Sequence, residues 1–167
     1  MAELSAQPRL ARTRDLSGPA GKGSRASQRR GEGQQATAAG LDLLRVLGWL
    51  VLHEVDLPAD PATGAPDVAV DHLLVGPSGV YVVNTVTWPG PIKAEGDVLV
   101  VGKQDHSDVL VESAAAADAV RALLGGTPVA PLLCFERLEP VAGVSGDVAL
   151  CASENLLYLL TSQPHTL

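Results

Sequence analysis

The stretch from Val70 to Gly90 constrains the fold of this chain more than any other segment. Two apolar runs, Val-Asp-His-Leu-Leu-Val and Val-Tyr-Val-Val-Asn-Thr-Val-Thr, flank the four residues Gly-Pro-Ser-Gly, and Trp-Pro-Gly follows. Gly-Pro-Ser-Gly favours a tight turn, and runs rich in β-branched residues favour strands. We therefore predict a β-hairpin made of strands 67–75 and 80–87.

The rest of the chain predicts alternating helices and strands around this hairpin. Apolar residues recur at helical spacing from Glu32 until Gly48, a residue typical of a helix C-terminus. The further predicted elements are strands at 49–57, 97–101 (weaker), 128–135 and 148–151 (short), a helix at 107–124, and a helix or turn at 154–160. This order of helix, three strands, helix and strand predicts an α/β fold with a central mixed sheet flanked by helices.

Composition and length agree with one domain preceded by a tail. The 167 residues are long enough for a single hydrophobic core. Hydrophobic residues make up 46% of the chain but aromatic residues only 3%, so Val, Leu and Ala must fill the core. Residues 1–30 show no apolar periodicity and are rich in Ser, Gly, Ala, Arg and Gln, which predicts a disordered tail before a domain at 31–167.

The charge is divided unevenly between these two parts. Residues 1–30 hold seven of the twelve Lys and Arg residues and two of the nineteen Asp and Glu residues, so they carry +5 and residues 31–167 carry −12. An acidic body repels phosphate backbones. We expect an unidentified protein partner for the body, and only weak nucleic-acid contact through the basic tail.

The two cysteines and the apolar segments predict a cytoplasmic protein. Cys134 and Cys151 lie in apolar runs without metal-ligand spacing, so we interpret them as reduced core residues, with a disulfide as the minor alternative. The N-terminus lacks the apolar core of a secretory signal, and the longest apolar run, near 46–52, is too short to span a bilayer. We therefore expect no membrane partner.

The order of elements and the hairpin sequence together resemble the nuclease-related domain family, a branch of the restriction-endonuclease-like PD-(D/E)XK fold. The matching segments are the helix at 31–44, Gly-Trp-Leu-Val-Leu-His-Glu-Val at 48–55, the hairpin at 70–83, Trp-Pro-Gly at 88–90 and Val-Ala-Pro-Leu-Leu-Cys-Phe at 129–135. The resemblance covers about residues 31–135. It implies a core of one helix, a three-strand meander, a second helix and a further strand.

The resemblance also implies where a nuclease site would lie. In the family, an acid on the second strand, an acid-x-lysine on the third strand and a glutamate on the first helix hold Mg²⁺ and activate water. Asp71 matches the first acid, but Asn84 stands at the second acid and Val86 at the lysine. Gln34 matches the helix glutamate, unless that alignment shifts to Glu32. If the domain were active, Asp71 and Asn84 would be the metal-binding positions.

These substitutions lead us to expect no useful nuclease turnover and no cofactor. The leading hypothesis is a non-catalytic nuclease-like domain that acts as a binding or scaffolding module. The alternative is a divergent Mg²⁺-dependent DNA nuclease with relocated groups, and a third is a remnant without a present role. The candidate relocated residues are Glu32, Glu95, Glu112, Lys93, Lys103 and the arginines of the tail. We interpret His72 as a packed or surface histidine, and the scattered His53, His106 and His165 as unsuited to a metal site.

Overall fold

The structure is a computed structural model, which describes residues 24–62, 64 and 67–166, with side chains described from residue 31. Nine strands and three α-helices follow one another along the described chain. The strands are β1 (Leu50–Leu57), β2 (Val68–Gly76), β3 (Gly79–Val86), β4 (Ile92–Glu95), β5 (Val98–Val101), β6 (Gln104–Asp105), β7 (Val129–Phe135), β8 (Ala142–Ser145) and β9 (Val148–Ala152). The helices are α1 (Ser24–Asp42), α2 (Ser107–Leu123) and α3 (Ser153–Thr161), with a 3-10 helix (Leu43–Leu47) after α1.

Six of the strands form one mixed sheet in the order β1-β2-β3-β7-β9-β8. Strands β1 to β3 are an antiparallel meander, β7 runs parallel to both β3 and β9, and β8 closes the other edge antiparallel to β9. Strands β4, β5 and β6 form a separate small antiparallel sheet. The predicted α/β fold with a mixed central sheet flanked by helices is confirmed.

Helices cover both faces of the large sheet. Leu41 of α1 and Leu156 and Leu160 of α3 pack with Val83 of β3 on one face. On the other face, Val120 and neighbouring alanines of α2 pack against Val80, Val82 and Val129. Side chains of β3 therefore alternate between the two faces as its sequence predicts. The α2 face also carries a third cluster around Val86, Leu99, Leu110, Leu133 and Phe135.

The first helix begins earlier than its apolar pattern predicts. It starts at Ser24 rather than Glu32 and crosses the predicted domain boundary at residue 30. The helical segment ends at Gly48, as predicted. Gly48 adopts a left-handed conformation with φ of 83°, and its backbone N–H donates to the carbonyls of Arg45 and Leu44. Residues 1–23 lie outside the described part of the chain, so their disorder stays a prediction.

Two other expectations can be compared with the described residues. Cys134 and Cys151 are free, buried and directly opposite each other on β7 and β9, as expected for core cysteines. The hydrogen bond that the Cys134 thiol makes to Cys151, together with burial, raises the pKa of Cys134 far above its usual range, which disfavours the reactive thiolate form. None of the helices in the described residues is both long and apolar enough to cross a membrane.

Candidate functional site

The candidate site lies in the fork where β2 separates from β3. The antiparallel ladder between these strands ends at the pair His72–Val83, and the next pair in register would be Asp71 and Asn84. Instead, β3 continues its parallel pairing with β7 as far as Val86. The backbone N–H of Asp71 faces the side-chain oxygen of Asn84 at 3.4 Å, a long contact that marks the opening of the fork.

A second irregularity at the same point faces the other neighbour of β2. The pairs on either side of the fork, His53–His72 and Val55–Val70, are regular, but Glu54 and Asp71 between them do not pair. Glu54 has a φ of 52°, the one positive value among the described non-glycine residues. A local distortion of this kind redirects side chains and commonly lies beside functional sites. Asp71 thus stands where β2 departs from both of its partners.

Three of the four sequence-matched positions meet in this fork. The side-chain amide of Gln34 on α1 donates to Oδ1 of Asp71 at 2.6 Å, and the backbone N–H of Thr85 donates to Oδ2 at 2.8 Å. The amide of Asn84 donates to Oγ of Ser113 on α2 at 3.2 Å. The result is one hydrogen-bonded group that joins α1, β2, β3 and α2.

Val86, the fourth matched position, is not part of this hydrogen-bonded group. It is only 9% exposed and packs in the apolar cluster with Leu110, Leu133 and Phe135. This side chain has no charge or proton to offer to a phosphate group. The position matched to the family's lysine is therefore part of the hydrophobic core.

The residues present do not fit a magnesium ion. Mg²⁺ dehydrates reluctantly and is held by carboxylate oxygens with octahedral geometry. Asp71 is the single carboxylate of the group, and both of its oxygens already accept N–H donors. A carboxylate can only accept, so Gln34 presents its NH₂ group here, which repels a cation. Among the described side chains, no three His, Cys, Asp or Glu residues are arranged to hold a metal ion.

The proposed relocated residues lie at exposed positions. Glu32 is on α1, Lys93 and Glu95 are on β4, Lys103 is in the turn before β6, and Glu112 is on α2. Glu112 precedes Ser113, but Ser113 is buried whereas Glu112 is exposed. The tail arginines have no described side chains. The relocation hypothesis for these residues stays a prediction.

Glu136 provides a second carboxylate beside α1, which we did not predict from the sequence. Glu136 directly follows β7, and its backbone N–H donates to the carbonyl of Val86 at 2.9 Å. Its side chain accepts hydrogen bonds from Thr37 of α1 at 3.0 Å and from Ser153 of α3 at 3.2 Å. Ligands of α/β sheets gather at the carboxyl ends of parallel strands, so its position after a buried strand was an available signal.

Glu136 also lines an open cleft of about 540 Å³. The cleft is lined by Thr87, Trp88, Pro89, Gly90, Pro91, Glu136, Arg137 and Glu139. The guanidinium of Arg137 donates to the carbonyls of Trp88 at 2.9 Å and Gly90 at 3.2 Å, so it holds the segment from Trp88 to Gly90 in place. The Trp88 ring stacks on His106 with 3.7 Å between the ring centroids. The cleft is therefore rigidly built on one side.

A pair of histidines lies beside the fork. Nδ1 of His72 is 2.9 Å from Nδ1 of His53, so one of these nitrogens donates a hydrogen bond to the other, and Nε2 of His53 is 3.1 Å from Oδ1 of Asp42. Hydrogen bonds from Arg45 and His53 lower the pKa of Asp42. His72 is 2% exposed, which confirms that it is a packed histidine. Burial, and secondarily the charge of His53, lower the pKa of His72 to about 4.

The buried His72 makes the stability of the domain depend on pH. Its neutral form is favoured in the folded state, whereas the unfolded chain takes up a proton below its ordinary pKa of 6.5. The contribution of neutral His72 to the free energy of unfolding is therefore present above pH 6.5 and is lost as the pH falls towards 4. We expect a loss of about 2 kcal/mol between pH 7 and pH 5 from this group, measured by urea unfolding. The loss should be absent in His72→Gln but retained in His165→Gln, and an equal loss in all three proteins would contradict this account.

The comparisons with known proteins agree with this architecture. A model of the nuclease-related domain matches residues 27–136, which include most of α1, the meander β1–β3, α2, β7 and all four sequence-matched positions. No curated protein and no solved structure gave a match to the chain. The family match spans well over half of the chain, and the six-stranded mixed sheet is compatible with a restriction-endonuclease-like core. The chain therefore belongs to the nuclease-related domain family, within the PD-(D/E)XK-like superfamily.

Proposed function

We propose that this chain is a non-catalytic member of its family that acts as a binding or scaffolding module. The observation that carries the proposal is the state of Asp71. Its two carboxylate oxygens are occupied by Gln34 and the Thr85 N–H, at the place where the family pattern requires a metal and a lysine. One satisfied carboxylate holds neither a divalent ion nor a water molecule in readiness for attack on a phosphodiester.

The remaining fold supports a role in binding. The turns, the end of the first helix and the alternation along β3 remain mutually consistent although the reactive groups are missing, which favours a selected framework over a decaying one. With −12 on residues 31–167, the body is suited to protein partners rather than to nucleic acid. The basic residues of the N-terminal segment are the part that would contact nucleic acid weakly. The buried free cysteines suit the cytoplasm as the place of action.

The test is a nuclease assay with an internal control for contamination. Purified wild-type protein is incubated with single-stranded and double-stranded DNA in the presence of Mg²⁺ or Mn²⁺, beside Asp71→Ala prepared identically. We expect no cleavage by the wild type beyond that of the variant. Loss of a positioned charge or acid–base group typically lowers rates by about 10²- to 10⁴-fold, and here several groups are replaced together. Cleavage that Asp71→Ala abolishes would refute the proposal.

In the alternative function, a divergent nuclease, Glu136 is the candidate for the relocated acid. It is a second carboxylate that contacts α1, one helical turn from the Gln34 that contacts Asp71. An active enzyme would use Mg²⁺ as its cofactor, with Asp71 and Asn84 as metal-binding positions and a relocated acid. In that case, Glu136→Gln would abolish cleavage as Asp71→Ala does. Under the leading proposal, the wild type and both variants show the same absence of cleavage.

A further inference from the structure

Two histidines on neighbouring strands direct the same ring atom at each other. His53 on β1 and His72 on β2 are directly paired in the antiparallel register, although they are 19 positions apart in the chain. Their Nδ1 atoms are 2.9 Å apart, and the rings meet edge to face with 5.0 Å between their centroids. The sequence led us to expect no metal site at His53, because no local spacing signals its pairing with His72.

Each of these rings is also held at its other nitrogen. Nε2 of His53 is 3.1 Å from Oδ1 of Asp42, and Nε2 of His72 is 3.4 Å from Oγ1 of Thr85. Histidines that bind metal ions typically have such a partner on the nitrogen that faces away from the ion, because it fixes the tautomer and the direction of the ring. The two Nδ1 atoms are therefore the inner ends of a pair whose outer nitrogens are already oriented.

The hydrogen bonds assign the protons of the neutral pair. A carboxylate only accepts, so Nε2 of His53 donates to Asp42 and Nδ1 of His53 carries no proton. Nδ1 of His72 then donates to Nδ1 of His53, and Nε2 of His72 accepts from the hydroxyl of Thr85. When an ion replaces the bond between the two Nδ1 atoms, the proton of His72 moves to its Nε2, where the oxygen of Thr85 accepts it. Both Nδ1 lone pairs then face the ion, and no proton is released.

The separation of the two Nδ1 atoms favours a late transition metal. Imidazole suits Cu²⁺, Ni²⁺ and Zn²⁺, whereas Mg²⁺ prefers oxygen ligands. With metal–nitrogen bonds of about 2.0–2.1 Å, a nitrogen separation of 2.9 Å corresponds to an angle of about 90° at the ion. This angle matches adjacent positions in the tetragonal coordination of Cu²⁺ or Ni²⁺. Tetrahedral Zn²⁺ would require the two nitrogens to move apart by about 0.5 Å.

An ion reaches the histidine pair from the side of His53. The side chains of His53 and Asp42 are 24% and 49% exposed, whereas His72 is buried. This exposure allows His53 to turn its lone pair towards the ion. Water completes the coordination, because the described residues provide no group of three His, Cys, Asp or Glu side chains. Arg45 pairs with Asp42 at 2.7 Å, so the local charge is balanced, and the −12 of residues 31–167 attracts cations.

We propose that Nδ1 of His53 and Nδ1 of His72 bind one Cu²⁺ or Ni²⁺ ion, with Asp42 and Thr85 as positioning residues. The bound ion would link β1 to β2 and stabilise the folded domain, because the unfolded chain does not hold the two rings together. The inference goes beyond the proposed function and does not depend on it, since Asp71 takes no part in binding the ion.

The test is calorimetric titration of the full chain, without an affinity tag, with Ni²⁺, Cu²⁺ or Mg²⁺ at neutral pH. We expect one Ni²⁺ or Cu²⁺ ion to bind per chain, and no Mg²⁺ to bind at the pair. His53→Gln should weaken Ni²⁺ binding by at least about tenfold, because it removes one of the two ligands. The matched control is His165→Gln, the same replacement at an exposed histidine beyond α3, which should bind Ni²⁺ as the wild type does.

The role of Asp42 is tested by a pair of variants. Asp42→Ala should weaken Ni²⁺ binding by about tenfold, because His53 loses the group that orients it. Asp42→Asn keeps an oxygen that accepts from Nε2 and should restore part of the affinity. Equal binding by these two variants would refute the positioning role.

Thermal unfolding shows whether the ion binds the folded chain. Ni²⁺ should raise the Tm of the wild type and of His165→Gln but not that of His53→Gln, whose Tm without metal also shows whether it is folded. A wild type that binds neither ion at about 1 mM would overturn the proposal. Ni²⁺ binding of equal strength in the wild type and His53→Gln would overturn it as well, since the ion would then be held elsewhere.

Discussion

Val86→Lys is expected to destabilise the domain by about 3 kcal/mol, although it restores the family's residue at that position. Val86 is 9% exposed and packs with Leu110, Leu133 and Phe135, none of which can pair with an ammonium group. A buried lysine without a partner must either lose its proton or force the cluster open. Urea unfolding of the wild type and the variant measures the effect.

Val86→Met is the matched control for this variant. Methionine is also long and flexible, but it is apolar, so it should cost less than about 1.5 kcal/mol. A similar loss in both variants would mean that size rather than charge is responsible. If instead Val86→Lys were as stable as the wild type, the lysine would have reached solvent or a partner. It could then remain charged and act in the restored site. That outcome would weaken the case for a lost activity.

Gly76→Ala is expected to cost about 3 kcal/mol because the backbone of β2 touches a buried ring. A Cβ atom at this position would lie 2.1 Å from Cδ2 of Trp49 and 2.2 Å from Cε3, well inside van der Waals contact. Trp49 is 6% exposed and faces Tyr81, with 5.9 Å between the ring centroids. Because this ring is buried beside Tyr81, moving it aside would disturb the core. Thermal unfolding should show a large fall in Tm.

Gly40→Ala separates this close approach from the general effect of adding a methyl group. Gly40 lies inside α1, and a Cβ atom added there would have no described neighbour within 4 Å, so alanine meets open space. It should stabilise the domain by about 0.5–1 kcal/mol, because alanine favours a helix more than glycine does. The two substitutions are chemically identical and should have opposite signs. A destabilising Gly40→Ala would contradict the position of α1.

The fold was largely predictable because its main elements carry periodic apolar patterns. The hairpin and the alternation of Val80, Val82 and Asn84 on one face of β3 agree with the sequence. Strands β4, β6 and β8 were missed because they are short and mostly exposed, and hence have little apolar pattern. The early start of α1 was missed for a related reason. Arg, Gln and Ala favour helix by intrinsic propensity, and a search for apolar periodicity does not detect that.

The candidate site was predictable in its members but not in its bonding. Resemblance identified Gln34, Asp71 and Asn84, and the structure brings them together. The hydrogen bond from Asn84 to Ser113 joins residues far apart in the chain, and no local pattern signals it. The position of Glu136 after a buried strand was a signal that we did not use, but its bonding to Thr37 and Ser153 of two distant helices has no local signal.

The hydrogen bond between Gln34 and Asp71 has a consequence for how such proteins are recognised. Because this carboxylate attaches the first helix to the sheet, natural selection for a folded domain can preserve it whether or not the domain cleaves nucleic acid. A survey that scores family members by the presence of the strand acid alone would therefore not distinguish a metal-binding acid from one that holds the fold together. The group that contacts the acid, here the side-chain amide of Gln34, is the character that such a survey should score as well.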